Sequence, residues 1–202
     1  ALVLTNAMKP MRHHEASLKK LKYRFDRKLE IRVSVDHYTQ QLHERERGSN
    51  SWQPMLDGLT WLSQNNFNFD IAGRTPWGED ESSMRQGYAK LFAENDISVD
   101  AEDPAKLVLF PEMDVNQDVP EITDQCWSIL GVDPGAMMCA SSRMIVKRKG
   151  AEKPAVIACT LLPYDEQFEL GTTLADSSKY VPLNHPHCAK FCVLGGGTCS
   201  QG

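Results

Sequence analysis

From Leu2 to Leu130, short apolar runs alternate with segments of helical period, and few folds accept that alternation. Leu2 to Leu4 is expected to be a short buried run, after which Leu18, Leu21 and Phe25 recur at i, i+3 and i+7, one face of a helix. Glu30 to Val35 reads as a second strand, and Met55, Leu56, Leu59 and Leu62 mark a second helix. Phe67 to Ala72 is a third strand, Met84, Tyr88, Leu91 and Phe92 a third helix, and Leu107 to Phe110 a fourth strand. Pro120 suits a first helical turn, with Ile122, Cys126, Ile129 and Leu130 as the apolar face and Gly131 as the stop. Cys126 on that face is expected to be a small core hydrophobe. Strands separated by helices imply a parallel sheet with crossovers, so the expected class is α/β. Parallel strands present functional groups at their C-terminal ends, so the loops beginning at Asn6, Asp36 and Arg74 are expected to share one rim.

After Gly131 the pattern changes. Arg143 to Lys147 and Ala155 to Thr160 are β-rich runs around Arg-Lys-Gly-Ala-Glu-Lys-Pro, which reads as a hairpin. Folding back near residue 151 brings Cys159 opposite the residues near Arg143, so Cys139 can reach the same open end. The sequence Cys139-x10-Gly150-x8-Cys159, followed by Cys188-x3-Cys192-x6-Cys199, supplies five thiols at spacings suited to a metal. Four ligands satisfy a tetrahedral zinc or an iron–sulfur cubane, so one of the five is spare. His185 and His187 beside Cys188 keep zinc open. Gly195, Gly196 and Gly197 would let backbone pass close to an inorganic cluster. The tail from Asn184 to Gly202 has little means of burying a core.

Composition narrows the function classes. A chain of 202 residues that is 41% hydrophobic and 24% charged, with net charge -5, is long enough for a true core. No apolar run approaches the roughly 18 residues that cross a bilayer, and the N-terminus lacks the order of a signal peptide. The expected location is cytoplasmic, with cysteines reduced, and no membrane partner is expected. Residues 9–28 carry eight basic and two acidic side chains, but residues 79–124 carry thirteen acidic and three basic, which opposes nucleic-acid binding.

Several of these residues also resemble a known family, the radical S-adenosylmethionine enzymes with a SPASM or twitch type C-terminal extension. Leu4-Thr5-Asn6 is similar to the strand that ends Thr-Asn-Gly in that family's third barrel strand, with Ala7 in place of glycine. Val33-Ser34-Val35-Asp36 resembles the Ser-x-Asp of the fourth strand, and His43-x3-Arg47-Gly48 the element that follows it. The cysteine set, interrupted by Phe168-Glu169-Leu170-Gly171, resembles the extension that holds an auxiliary cluster, with a longer interval between Gly150 and Cys159.

The resemblance implies the later part of a partial (β/α) barrel over residues 1–130, strands three to six, and an auxiliary iron–sulfur domain built on a cysteine-rich β-hairpin over residues 131–202. It implies S-adenosyl-L-methionine contacts from Ser34 and Arg47, with Asn6, Asp36 and Arg74 on the same rim, and an auxiliary [4Fe-4S] cluster on Cys139, Cys159, Cys188, Cys192 and Cys199. It also implies chemistry through a 5'-deoxyadenosyl radical on a peptide or small-molecule substrate that the sequence does not identify. The family's Cys-x3-Cys-x2-Cys loop occurs nowhere in these residues, so the expectation is that it lies upstream and that this chain alone is inactive. Two other classes fit the same cysteines: a zinc-stabilised binding module and a non-catalytic iron–sulfur electron-transfer protein.

Overall fold

The computed structural model describes residues 1–112, 114, 116 and 118–194. They form two compact units, Ala1–Glu112 and Met113–Gly202.

The first unit is built on four parallel strands, β1 (Leu2–Thr5), β2 (Glu30–Ser34), β3 (Phe69–Arg74) and β4 (Leu107–Phe110), ordered in space as in sequence. Helices α1 (Lys9–Arg12) and α2 (Glu15–Phe25) join β1 to β2, α3 (Gln40–Arg47) and α4 (Trp52–Gln64) join β2 to β3, and α5 (Glu81–Glu94) joins β3 to β4. Right-handed crossovers that always step in one direction leave every helix on one face of the sheet. The side-chain period of two then divides the strands. Ile31, Val33, Val35, Phe69, Ile71 and Leu107 point into one core with Met55, Leu59, Leu62, Met84, Tyr88 and Phe92 of the helices. Burying each of these contributes about 1.5–3 kcal/mol, more than a solvent-exposed ion pair. The run Leu2–Leu4, expected to be buried, is not, since β1 ends the sheet order and Val3 and Leu4 are exposed; in α2 only Leu18 is buried, whereas Leu21 and Phe25, expected on the same apolar face, are 42% and 41% exposed.

The opposite face of the sheet carries the alternate residues, with Arg32 beside Asp70 and Ser34 beside Ala72 in register. Arg32 donates from Nε to the fully buried Asp70 Oδ1, while Asp70 Oδ2 receives no hydrogen bond. Burial pushes the Asp70 carboxyl up to about 6 against the pull of Arg32, and the Glu30 carboxylate beside it adds to the rise.

In the second unit α6 (Gln125–Leu130) is shorter than the periodicity implies. Pro120 restricts the residue before it to extended backbone, and the helix starts only after Thr123, whose N–H donates to Cys126 Sγ. Ile129 is 76% exposed and Cys126 only half-buried, so this face is not the expected core. Gly131 ends the helix in left-handed conformation, as expected. Next come the single turn α7 (Met138–Ser141) and an antiparallel sheet of β5 (Met144–Val146), β6 (Ala155–Ile157) and β7 (Glu169–Gly171), the last with no expectation behind it. Cys188–Val193 forms a wide π-helical turn that buries Ala189, Phe191 and Val193, so this stretch, expected to have little core, has one. Among the described residues no helix is long and apolar enough to cross a membrane.

Two expected outcomes test this packing. A Cβ on Gly58 of α4 would lie 1.9 Å from the Ala7 carbonyl oxygen, a backbone atom that cannot turn aside. Gly58→Ala should therefore lower unfolding stability by about 3 kcal/mol, measured by denaturant titration. The Asp70 carboxyl titrates higher folded than unfolded, so its contribution is complete below about pH 4 and lost as pH rises through about 6. Wild type should lose about 2–3 kcal/mol across that window, and Asp70→Asn, which holds the amide in place of the protonated acid, should lose much less.

Candidate functional site

The C-terminal edge of the parallel sheet gathers the residues expected there. β1 runs into an Asx turn in which Asn6 Oδ1 accepts the Met8 N–H at 3.1 Å, and Thr5 Oγ1 accepts the Ala7 N–H at 3.1 Å. Ala7 takes φ +57, the left-handed region where glycine is at home, and it is fully buried beneath Gly58.

Ser34 ends β2 half-buried, on the same face as Arg32. Beyond it Asp36 is buried, and Arg47 of α3 forks onto its carboxylate, through Nε to Oδ2 and through Nη2 to Oδ1 at 3.1 Å. The fork expected to grip a cofactor carboxylate is thus closed on a protein carboxylate. Arg74 at the end of β3 donates its backbone N–H to the Asp36 carbonyl at 2.9 Å and pairs its side chain with Glu46, one residue before Arg47. Gly48 then stops α3 with φ +92. Helix α3 is accordingly strapped over the ends of β2 and β3 by two guanidinium–carboxylate pairs.

Three further rim residues escaped the sequence reading: His37, Tyr38 and Glu79. The Thr39 N–H donates to His37 Nδ1 at 3.0 Å, which assigns the ring hydrogen to Nε2, and Nε2 donates to Glu79 Oε1 at 3.0 Å. The Tyr38 hydroxyl donates to Glu79 Oε2 at 2.6 Å, and Trp77 meets the His37 ring edge-on. The bond to Glu79, with burial, pushes the Tyr38 phenol up to about 12, and the same bond holds the Glu79 carboxyl below its usual range. The signal was available, because His37 and Tyr38 directly follow Asp36 and Glu79 directly precedes the α5 cap Asp80. His43, on the face of α3 that carries Arg47, is buried against Trp52 with Nδ1 lacking a partner, and burial lowers its imidazole pKa.

In the second unit Cys139, Cys159, Cys188 and Cys192 all line one small cavity, of about 20 Å³, together with His187 and the apolar side chains of Met138, Leu162, Phe168 and Leu183. The hairpin register, Met144 opposite Ile157, returns Cys159 toward Cys139, and the π-helical turn places Cys188 and Cys192 on one side. Burial raises the pKa of Cys139, Cys159 and Cys188, the last to about 11. A neighbouring thiolate raises Cys139 and Cys188 further, so these thiols are close enough to oppose one another's ionisation. Leu161 and Leu162 bring backbone N–H groups to Cys159. A dry pocket of thiols with amide donors suits a metal centre in donor chemistry. Among the described residues, however, no three His, Cys, Asp or Glu side chains are gathered as a ligating group. Cys199 lies outside the described residues. A groove of about 800 Å³ in the same unit, lined by Trp127, Met137, Tyr180 and His185 among others, shares Cys139 with the thiol cavity.

No protein-family model matches the chain, and no curated protein matches its sequence. The solved structure of hexahistidine-tagged anSMEcpe with bound AdoMet is similar in fold, with a TM-score of 0.50 at 13% sequence identity over 89% of this chain and 54% of that chain. This chain therefore spans about half the length of that protein. At such identity the likeness concerns the fold alone, a mixed α/β architecture with a four-stranded parallel sheet.

Glu79→Gln should bring the Tyr38 phenol down from about 12 toward the ordinary value near 10, because the amide removes the anion that opposes tyrosinate. An alkaline absorbance titration, with Tyr38→Phe to identify the transition, measures it.

Proposed function

We propose that this chain is part of a radical S-adenosylmethionine enzyme, its first unit a partial barrel that holds the sulfonium nucleotide at the sheet's C-terminal edge and its second unit an auxiliary iron–sulfur domain. The observation that carries the reading is the convergence of four cysteine side chains on one apolar cavity, in a chain whose fold is like that of an enzyme solved with AdoMet. In the proposed rim Ser34 would bond polar groups of the cofactor, Arg74 would meet its carboxylate, Arg47 would reach it only with the hydrogens not given to Asp36, and Asn6 and Asp36 would shape the turns around it. The pairing of Asp36 with Arg47 limits where that guanidinium can move, and so orients it. His37, Glu79 and Tyr38 lock the loop after β3 to the loop after β2.

Cys139, Cys159, Cys188 and Cys192 would hold the metal of the second unit, with Cys199 as the further thiol in the sequence. A [4Fe-4S] cluster there supplies one-electron transfer. Backbone N–H groups directed at Cys159 favour its thiolate, and Phe168, Leu162 and Leu183 exclude water. The Cys-x3-Cys-x2-Cys loop that supports radical formation in the family is absent from these residues, so the chain alone is proposed to be inactive. The substrate class is a peptide or small molecule, and the setting is cytoplasmic. A second reading, a zinc-stabilised binding module, is favoured by His187, which lines the same cavity as the four cysteines.

Anaerobic reconstitution with iron and sulfide decides between them. The expected result is bound iron and sulfide with visible charge-transfer absorption, lost in Cys139→Ala and Cys188→Ala. Stoichiometric zinc with neither iron nor sulfide would leave only the second reading.

A further inference from the structure

Building on the cofactor rim proposed above, we infer that Glu46 is an internal carboxylate that occupies the Arg74 guanidinium and yields it to the carboxylate of an incoming ligand. Two carboxylates and two guanidiniums meet at this edge, but they are not equivalent. Asp36 is 4% exposed, accepts both arms of the Arg47 fork, and is tied through its carbonyl to the Arg74 N–H. Moving it would strand a buried charge. Glu46 is 28% exposed, meets Arg74 through one oxygen, and its partner is 35% exposed. Only this second pair can open cheaply.

The pair has little value for stability. Ion pairs this exposed change a folding equilibrium by a factor of about five at most. Glu46 also lies in the last turn of α3, where the helix dipole disfavours an anion by a comparable factor. The two effects nearly cancel, so a glutamate at this position has no net structural benefit. Its effect is on occupancy: while Glu46 is seated, Arg74 is neutralised and held at the end of β3, shaped for a carboxylate. A ligand carboxylate that replaces it finds the guanidinium already oriented, whereas a neutral analogue has nothing with which to displace Glu46. The exchange therefore selects ligands that bear an anionic group at that place.

The experiment compares the full chain with Glu46→Gln and Arg74→Gln. By calorimetric titration with S-adenosylmethionine, Glu46→Gln is expected to bind about 2–5-fold tighter than wild type, the competitor having been removed, while Arg74→Gln binds more weakly. Unfolding midpoints of Glu46→Gln and wild type should coincide. Where wild type binds S-adenosylmethionine, unchanged or weaker binding in Glu46→Gln overturns the exchange. A second arm keeps it separate from the cofactor reading: inorganic sulfate is titrated while the Arg74 Nε–H resonance is followed by NMR. Saturation at lower sulfate in Glu46→Gln supports the exchange even if S-adenosylmethionine binds no variant, a result that sinks the cofactor reading alone. Identical sulfate saturation in the two proteins overturns the exchange whatever S-adenosylmethionine does.

Discussion

A parallel strand cannot be followed by a tight turn back to its neighbour, and the first unit is organised by that restriction. Each step from β1 to β4 needs a helical crossover, the crossovers share one hand, and the strands advance in one direction. The helices must then share a face, the loops that leave the strands must share an edge, and the remaining face must be lined by every second residue. Ile31, Val33, Phe69 and Ile71 belong to the helix-covered side, while Arg32, Ser34, Asp70 and Arg74 belong to the other. A charged pair in the middle of a sheet is thus a consequence of winding, and so is one edge that carries Asn6, Asp36 and Arg74 at the ends of successive strands.

The legible parts of this unit are those in which period and packing agree. β4 lies at Leu107–Phe110 as its apolar run indicates, and α4 and α5 bury Met55, Leu59, Leu62, Met84 and Tyr88 as their spacing requires. What could not be read is decided across space. Helix α3 is highly polar and shows no apolar stripe. It forms because Thr39 lies against His37 Nδ1, because Arg47 reaches Asp36 at the end of β2, and because Gly48 can take a positive φ. The roles of Arg47 and Arg74 were sought in a ligand, yet their nearest partners are carboxylates of the same chain, and no sequence pattern reports which of two acids an arginine will choose.

The second unit was harder to read for a different reason: its elements are short. β5, β6 and β7 have three residues each, below the length at which alternation can be recognised. The apolar residues Ile122, Ile129 and Leu130 mimic a helical face, but Ile129 ends largely in solvent because α6 begins too late to include the residues ahead of it. In the opposite direction, Phe191 and Val193 sit in a glycine-poor stretch just before the triple glycine and become core through a π-helical turn that residue spacing does not announce. The hairpin was legible from its turn, and its register returns Cys159 toward Cys139, so that both line one cavity.

Ala7 has a bearing on how the rim accommodates a guest. An L-residue held at φ +57 under the backbone of α4, with Thr5 and Asn6 side chains bonded to the two amides that follow, has nowhere to relax. The β1 end of the rim is therefore a fixed wall. Compliance is confined to the far end, where the β3 terminus and the last turn of α3 share a solvent-washed contact. Adjustment to a bound molecule is consequently one-sided, a vise with one stationary jaw.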